Sequence, residues 1–151
     1  MKILLPIESA PDAKLTIDFV ANYRWLRGTE FKILHVLGSS NDDEVAIEAK
    51  HCAENLVDSV AGRIRSSIPD CKVTVEVLAG QPIYEILQMA TNWKATMIVM
   101  GFKARSSAHR FLAGSVSRGV ALQAPCSVSI IRPPEEYRVE SAEQSIFRYS
   151  A

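Results

Sequence analysis

The sequence predicts an α/β fold in a single domain: an open sheet of five mostly parallel strands in the order 3-2-1-4-5, with helices on both faces. From residue 1 to about 132, short apolar runs alternate strictly with longer helical stripes, and no linker or internal repeat divides them. Such alternation favours a parallel sheet covered by helices on both sides. Right-handed crossovers leave few strand orders, and the commonest one has strands two and three on one side of strand one and strands four and five on the other.

The first quarter of the chain supplies a strand, a helix and a second strand. Residues 3–7 form a continuous apolar run, which is typical of a strand buried on both faces. Residues 31–37 are again mostly apolar and predict the second strand. Between them, residues 11 to about 27 predict a helix whose inner face carries Ala13, Ile17, Val20 and Ala21.

A long helix and an alternating strand follow. Residues 42 to about 68 carry one apolar stripe, and Pro69 ends the helix. Residues 72–78 alternate apolar and polar side chains, which predicts the third strand. The apolar stripe of the long helix at 42 to about 68 consists of Ala49, Cys52, Ala53, Leu56, Val60 and Ile64.

Turn residues mark the remaining elements. Pro82 suits the first position of the third helix, because its missing N–H would be unpaired there in any case. Residues 96–100 predict the fourth strand, and a loop then leads to a fourth helix that starts near Gly114 and Ser115. Residues 127–131 predict the fifth strand.

Charge and composition narrow the possible functions. The 151 residues include 17 Lys plus Arg and 17 Asp plus Glu, so the formal net charge is zero. We expect no binding of nucleic acid or a membrane surface by the protein as a whole, because both need excess basic charge. No apolar run approaches the roughly 20 residues that span a bilayer, and the apolar start is too short for a signal peptide. The 3 cysteines lack metal-ligand spacing, which predicts unbridged thiols in the cytoplasm.

The predicted strand order has a topological switch point between strands one and four. Ligands of such sheets bind in the crevice beyond the carboxyl ends of the strands at that point. Pro6, Ile7 and Glu8 follow strand one, and Met100 and Gly101 end strand four. We therefore expect a ligand crevice between these two segments.

The loop after strand four ends where a helix begins, at Gly114 and Ser115. Free backbone N–H groups and the helix dipole make such a point a natural anion site. The same residues also have a purely structural interpretation, because glycine marks turns, serine caps helices and basic side chains occupy solvated loops. Because this helix start lies at the predicted switch point, we favour a phosphate site there. Local positive charge comes from Lys103, Arg105, His109 and Arg110.

The spacing G-x2-G-x9-G-[S/T] is present, with Ala in place of the second Gly, at Gly101, Ala104, Gly114 and Ser115. Together with the segments Gly80-Gln81-Pro82 and Ala124-Pro125-Cys126, it makes residues 1 to about 132 resemble the universal stress protein family. The resemblance implies a Rossmann-like fold of the adenine nucleotide alpha hydrolase type. Residues 133–151 then form a tail that is either flexible or docked on a dimer partner.

The resemblance also implies a site for ATP or AMP, with or without Mg²⁺. By position in the family pattern, Glu8 and Val36 hold the adenine side, and the loop and helix start hold ribose and phosphates. Glu8 departs from the pattern by replacing Asp, and Ala104 by replacing a Gly, which weakens binding if that residue needs a positive φ. The expected binding residues are Pro6, Ile7, Glu8, Val36, Met100, Gly101, Lys103, Ala104, Arg105, Gly114, Ser115 and Val116.

Sequence motifs of common catalytic sites are missing: there is no G-x4-G-K-[S/T], G-x-S-x-G or H-E-x-x-H. We therefore expect a binding module rather than an enzyme. It would act in stress response or signalling through ligand-dependent contacts with a dimer partner and an unknown partner protein. The resemblance implies a homodimer formed by the apolar edge strand at 127–131. Two alternatives stay open: a dimeric stress protein with a vestigial crevice, and a weak ATP hydrolase.

Overall fold

The computed structural model describes residues 1–38, 40, 42–102 and 114–132, in which strands and helices alternate. The strands are β1 (Lys2–Pro6), β2 (Glu30–Leu37), β3 (Lys72–Ala79), β4 (Met97–Gly101) and β5 (Ser127–Ile131). The helices are α1 (Ala10–Asn22), α2 (Asp43–Ser67), α3 (Pro82–Trp93) and α4 (Ser115–Gln123). The described residues do not include Lys103, Ala104, Arg105, His109, Arg110 and the tail 133–151.

One sheet joins the five strands in the order β3-β2-β1-β4-β5, and each pairing is parallel. The predicted order is confirmed. The register between β1 and β2 runs the whole length of β1. Between β1 and β4 it covers Ile3↔Met97 and Leu4↔Ile98. The described pairing of β1 with β4 therefore ends before the carboxyl ends of the two strands, where a switch point is expected to bind its ligand.

Alternate side chains of the strands enter two separate cores. Ile3 and Leu5 belong to the core between the sheet and helices α1 and α2. Leu4 belongs to the core on the other face, between the sheet and helices α3 and α4. All three side chains are fully buried, so β1 is covered on both faces, as its continuous apolar run predicts.

The amino-terminal end of β1 is held by Thr96, which comes just before β4. Thr96 Oγ1 lies 2.9 Å from both Lys2 N and Lys2 O, so this hydroxyl accepts one hydrogen bond and donates another. The N–H of Thr96 also donates to Lys2 O at 2.8 Å. These bonds join residues 94 positions apart in the sequence, and they fix β1 beside the start of β4.

Helix α1 is shorter than the sequence predicts. The apolar pattern extends the expected helix to about residue 27, but α1 ends at Asn22. Nε1–H of Trp25 donates to the carbonyl of Val20 at 2.7 Å. The indole ring also meets Phe31 edge-on, with ring centroids 5.4 Å apart. Trp25 thus satisfies a carbonyl near the helix end and anchors the connection to β2, which stops the helix early.

The three cysteines are free, with Cys52 exposed and Cys71 and Cys126 half-buried. Burial raises the pKa of the Cys71 and Cys126 thiols, so less of each is thiolate at neutral pH than at an exposed cysteine. Among the helices described here, none has the length and apolar character needed to cross a bilayer.

Candidate functional site

A crevice of about 260 Å³ lies at the carboxyl ends of β1, β2 and β4, with walls from α3 and the start of α4. It lies beyond the last paired residues of β1 and β4. The volume bounded by the described residues is just below the usual range of small-molecule pockets, roughly 300–1,000 Å³. The lining consists of Pro6, Ile7, Glu8, Asp12, Leu34, Val36, Gly38, Pro82, Ile86, Met100, Gly101, Gly114, Ser115, Val116 and Ser117.

Nine of the twelve residues expected from the sequence line this crevice. They are Pro6, Ile7, Glu8, Val36, Met100, Gly101, Gly114, Ser115 and Val116. The other three, Lys103, Ala104 and Arg105, lie outside the described residues. The fold thus brings the ends of three strands and the start of α4 together, while the nucleotide-binding role of these residues stays a prediction.

The floor of the crevice is apolar and consists of Leu34, Val36, Ile86 and Met100. Leu34, Ile86 and Met100 are buried in the α3–α4 core. Val36 packs against the same core and lies two residues beyond Leu34 on the same face of β2. An apolar floor of this kind suits the ring of a small heterocyclic ligand.

The first turn of α4 forms a polar wall. Gly114 is the N-cap and gives the helix no side-chain hydrogen bond. The first N–H groups of a helix have no partner within the helix, and its dipole adds positive potential there. Ser117, which is 4% exposed, donates from its hydroxyl to the Gly114 carbonyl at 3.0 Å and so fixes this turn. The wall is therefore suited to an anion such as a phosphate.

Two carboxylates, Glu8 and Asp12, also line the crevice. Oγ of Ser9 donates to Oδ2 of Asp12 at 2.6 Å, which orients this carboxylate in the first turn of α1. Glu8 and Asp12 are the charged side chains among the lining residues that the structure describes. Carboxylate oxygens accept hydrogen bonds from hydroxyl and amino groups, so they can hold the polar parts of a sugar or a base.

Gly101 has a structural reason to be glycine that is independent of any ligand. A Cβ built on it would lie 3.3 Å from Asp12 O and 3.5 Å from Asp12 Cβ. The nearer contact is with backbone, which cannot rotate away as a side chain can. A larger residue would therefore push α1 away from the end of β4.

Six residues that line the crevice were not among those expected from the sequence. The alternation of side chains along β2 could have indicated Leu34, because Leu34 shares a face with Val36. The i, i+4 spacing of Pro82 and Ile86 could have indicated that both residues line the crevice from α3. Asp12 gave no such signal, since tertiary packing decides which side of α1 meets β4. The residues concerned are Asp12, Leu34, Gly38, Pro82, Ile86 and Ser117.

The chemistry of the described crevice is that of ligand binding. It combines an apolar floor, hydrogen-bond donors at a helix start and two carboxylates. Within the described ranges, no three His, Cys, Asp or Glu side chains come together in a way that could hold a metal ion. His35 is half-buried, and its Nδ1 lies 2.9 Å from the carbonyl oxygen of Ile7.

A sequence model described as the Universal stress protein family matches residues 1–132. A universal stress protein of Methanocaldococcus jannaschii is 37% identical over 65 residues, which cover 43% of this chain and 38% of that protein. The match thus spans well under half the length of this relative. A putative universal stress protein of Staphylococcus aureus is 27% identical over 125 residues, which cover 82% of this chain and 69% of that protein.

A solved structure extends the likeness to the fold. It is the universal stress protein from Archaeoglobus fulgidus in complex with dAMP, which is 27% identical in sequence and superimposes with a TM-score of 0.64. The alignment covers 87% of this chain and 97% of that chain.

Proposed function

This chain belongs to the universal stress protein family, and from that premise we propose that it is a binding module whose crevice takes ATP or AMP. Nucleotide binding alters its contacts with a dimer partner and with another protein, in stress response or signalling in the cytoplasm. The module acts through what it binds rather than through turnover of a substrate.

One observation carries this proposal: the apolar floor lies in the same crevice as the start of α4, whose N-cap has no side-chain hydrogen bond. A nucleotide contains both groups that these surfaces suit: a flat base for the apolar floor and a phosphate for the start of α4. Glu8 and Asp12 supply acceptors for the adenine amino group or the ribose hydroxyls.

The Archaeoglobus fulgidus relative supports adenine as the base. That protein is 27% identical to this chain and was solved with dAMP, which carries the same base as ATP and AMP. Glu8 and Ala104 depart from the family pattern, so we expect weaker binding than a site with Asp and Gly at these positions would give.

We expect the wild-type protein to bind AMP and ATP–Mg²⁺ with dissociation constants in the micromolar range or weaker, measured by titration calorimetry. Ser115→Ala should weaken binding about fivefold, because one hydrogen bond contributes about 1 kcal/mol. Ala104→Gly should tighten binding, because it restores the glycine of the family pattern, which adopts backbone conformations that alanine disfavours. The matched control is Ser59→Ala, at an exposed position of α2 outside the crevice, and it should leave affinity unchanged.

The same experiment distinguishes the alternatives. If neither wild type nor Ala104→Gly gives heat or a thermal shift with millimolar ATP and Mg²⁺, the crevice is vestigial and the nucleotide proposal is wrong. Release of phosphate from ATP by the wild type, lost in Ser115→Ala but kept in Ser59→Ala, would instead indicate a hydrolase.

We also propose that the chain forms a homodimer through β5. In the described sheet β5 pairs with β4 on one side and is an edge strand on the other. Val128, Ile130 and Ile131 are only half-buried within one chain, and an open apolar edge invites pairing with another strand. Light scattering at micromolar concentration should give twice the 16.7 kDa mass of the chain. A monomer mass would contradict the dimer and leave the nucleotide proposal standing.

A further inference from the structure

His35 lies near the end of β2, on the face of the sheet that packs against α1 and α2. Ile33 and Phe31 share that face and are fully buried in the α1–α2 core, whereas His35 is half-buried. The floor of the crevice belongs to the opposite face, the one covered by α3 and α4. Nδ1 of His35 nevertheless lies 2.9 Å from the carbonyl oxygen of Ile7, a residue that lines the crevice.

The partner of His35 defines which ring nitrogen carries the proton. A carbonyl oxygen only accepts hydrogen bonds, so Nδ1 is protonated and donates to Ile7. The N–H of Ile7 donates in turn to the carbonyl of Leu34 at 2.9 Å. Both backbone polar groups of Ile7 are therefore held by β2, one through its main chain and one through the His35 side chain.

This anchoring lies beyond the last residues at which β1 pairs with β4. The pairing of β1 with β4 covers Ile3↔Met97 and Leu4↔Ile98. Ile7 follows the end of β1, and the next residue, Glu8, lines the crevice. The described register of β1 with β4 does not extend to this level, and the bonds to β2 tie the backbone of the turn to the sheet.

We propose that His35 is a positioning residue for the ligand site. By donating from Nδ1 to the Ile7 carbonyl, it fixes the turn that presents Glu8 to the crevice, and it does so from the opposite face of the sheet. The effect on affinity rests on the proposed nucleotide function, whereas the effect on the turn does not.

Two substitutions separate the hydrogen bond from side-chain packing. His35→Leu keeps an apolar body and removes the donor. His35→Asn keeps a donor close to the place of Nδ1, because both nitrogens are bonded to Cγ. With AMP as the probe, calorimetry should show affinity falling about fivefold in His35→Leu and staying within about twofold of wild type in His35→Asn. Equal losses in both variants, or no loss in His35→Leu, would overturn the proposal.

A second pair of measurements needs no nucleotide. Nitrogen NMR of the neutral His35 ring should show a protonated Nδ1 and an unprotonated Nε2. Amide hydrogen exchange at Ile7 should be faster in His35→Leu than in wild type or His35→Asn. An Nε2–H tautomer in the wild type, or unchanged exchange at Ile7, would refute the anchoring role. If the wild type binds no AMP, the nucleotide proposal fails, and these two measurements still decide what His35 does.

Discussion

Gly114→Val should abolish AMP binding. Gly114 is the N-cap of α4 with φ −50° and ψ 151°, a backbone conformation open to valine, so the substitution acts through volume rather than strain. Gly114 lines the crevice at the helix start, so we expect the added carbons to occupy space that a phosphate would need. We expect calorimetry to show an affinity loss of at least about a hundredfold, or about 3 kcal/mol.

The matched control is Gly62→Val, which adds the same carbons on α2. Gly62 is exposed, and a Cβ there meets no atom within 4 Å, so AMP affinity should equal that of the wild type. Thermal unfolding of both variants checks that the fold is retained. Wild-type affinity in Gly114→Val would show that the phosphate does not bind at α4.

Gly119→Ala should destabilise the protein, although alanine is the better helix former. A Cβ at Gly119 would lie 2.6 Å from Cδ1 and 3.2 Å from Cγ1 of Ile83, where α4 packs against α3. Rotation of the Ile83 side chain about χ2 moves Cδ1 but leaves Cγ1 at 3.2 Å. We therefore expect an overpacking cost of about 1–3 kcal/mol, against the roughly 1 kcal/mol that alanine gains over glycine in a helix. Urea denaturation should show a net loss of about 1 kcal/mol in the free energy of unfolding.

Gly62→Ala isolates the helix-propensity gain, because a Cβ at that position meets nothing. It should raise the free energy of unfolding by about 0.5–1 kcal/mol. Opposite signs for the same substitution on two helices would establish that α3 and α4 are held close by a small residue. If both substitutions stabilise the protein equally, Ile83 turns aside and the contact at Gly119 imposes no packing cost. The contact bears on the crevice, since α3 contributes Ile86 and α4 contributes Val116 to its lining.

The strand order could be predicted because the rules behind it are local and few. The continuous apolar run of β1 indicates burial on both faces, and such a strand belongs at the centre of a parallel sheet. Right-handed crossovers then bring the end of β1 beside the end of β4. Glu8 and Gly101 therefore line one crevice although they are 93 positions apart in the sequence, and their proximity followed from topology alone.

Contacts that depend on the rotation of a helix could not be predicted in this way. Asp12 reaches the crevice because α1 approaches Gly101 closely enough to need a glycine there. The end of α1 is decided by the indole of Trp25, which bonds the Val20 carbonyl and packs on Phe31. In each case the contact is made with a residue of another element, so the periodic pattern of the helix itself cannot predict it.

The central place of β1 has a consequence for the order in which the chain is made. Among the described elements β1 is synthesised before the others, and Thr96, which bonds Lys2 at both of its backbone polar groups, follows 94 residues later. At the usual 5–20 residues per second, translation needs about 5–20 s to cover that distance. During that time the side of β1 that will pair with β4 has no native partner. Until β4 has been made, that side of β1 is open to non-native pairing, so this strand order carries a risk of aggregation during synthesis.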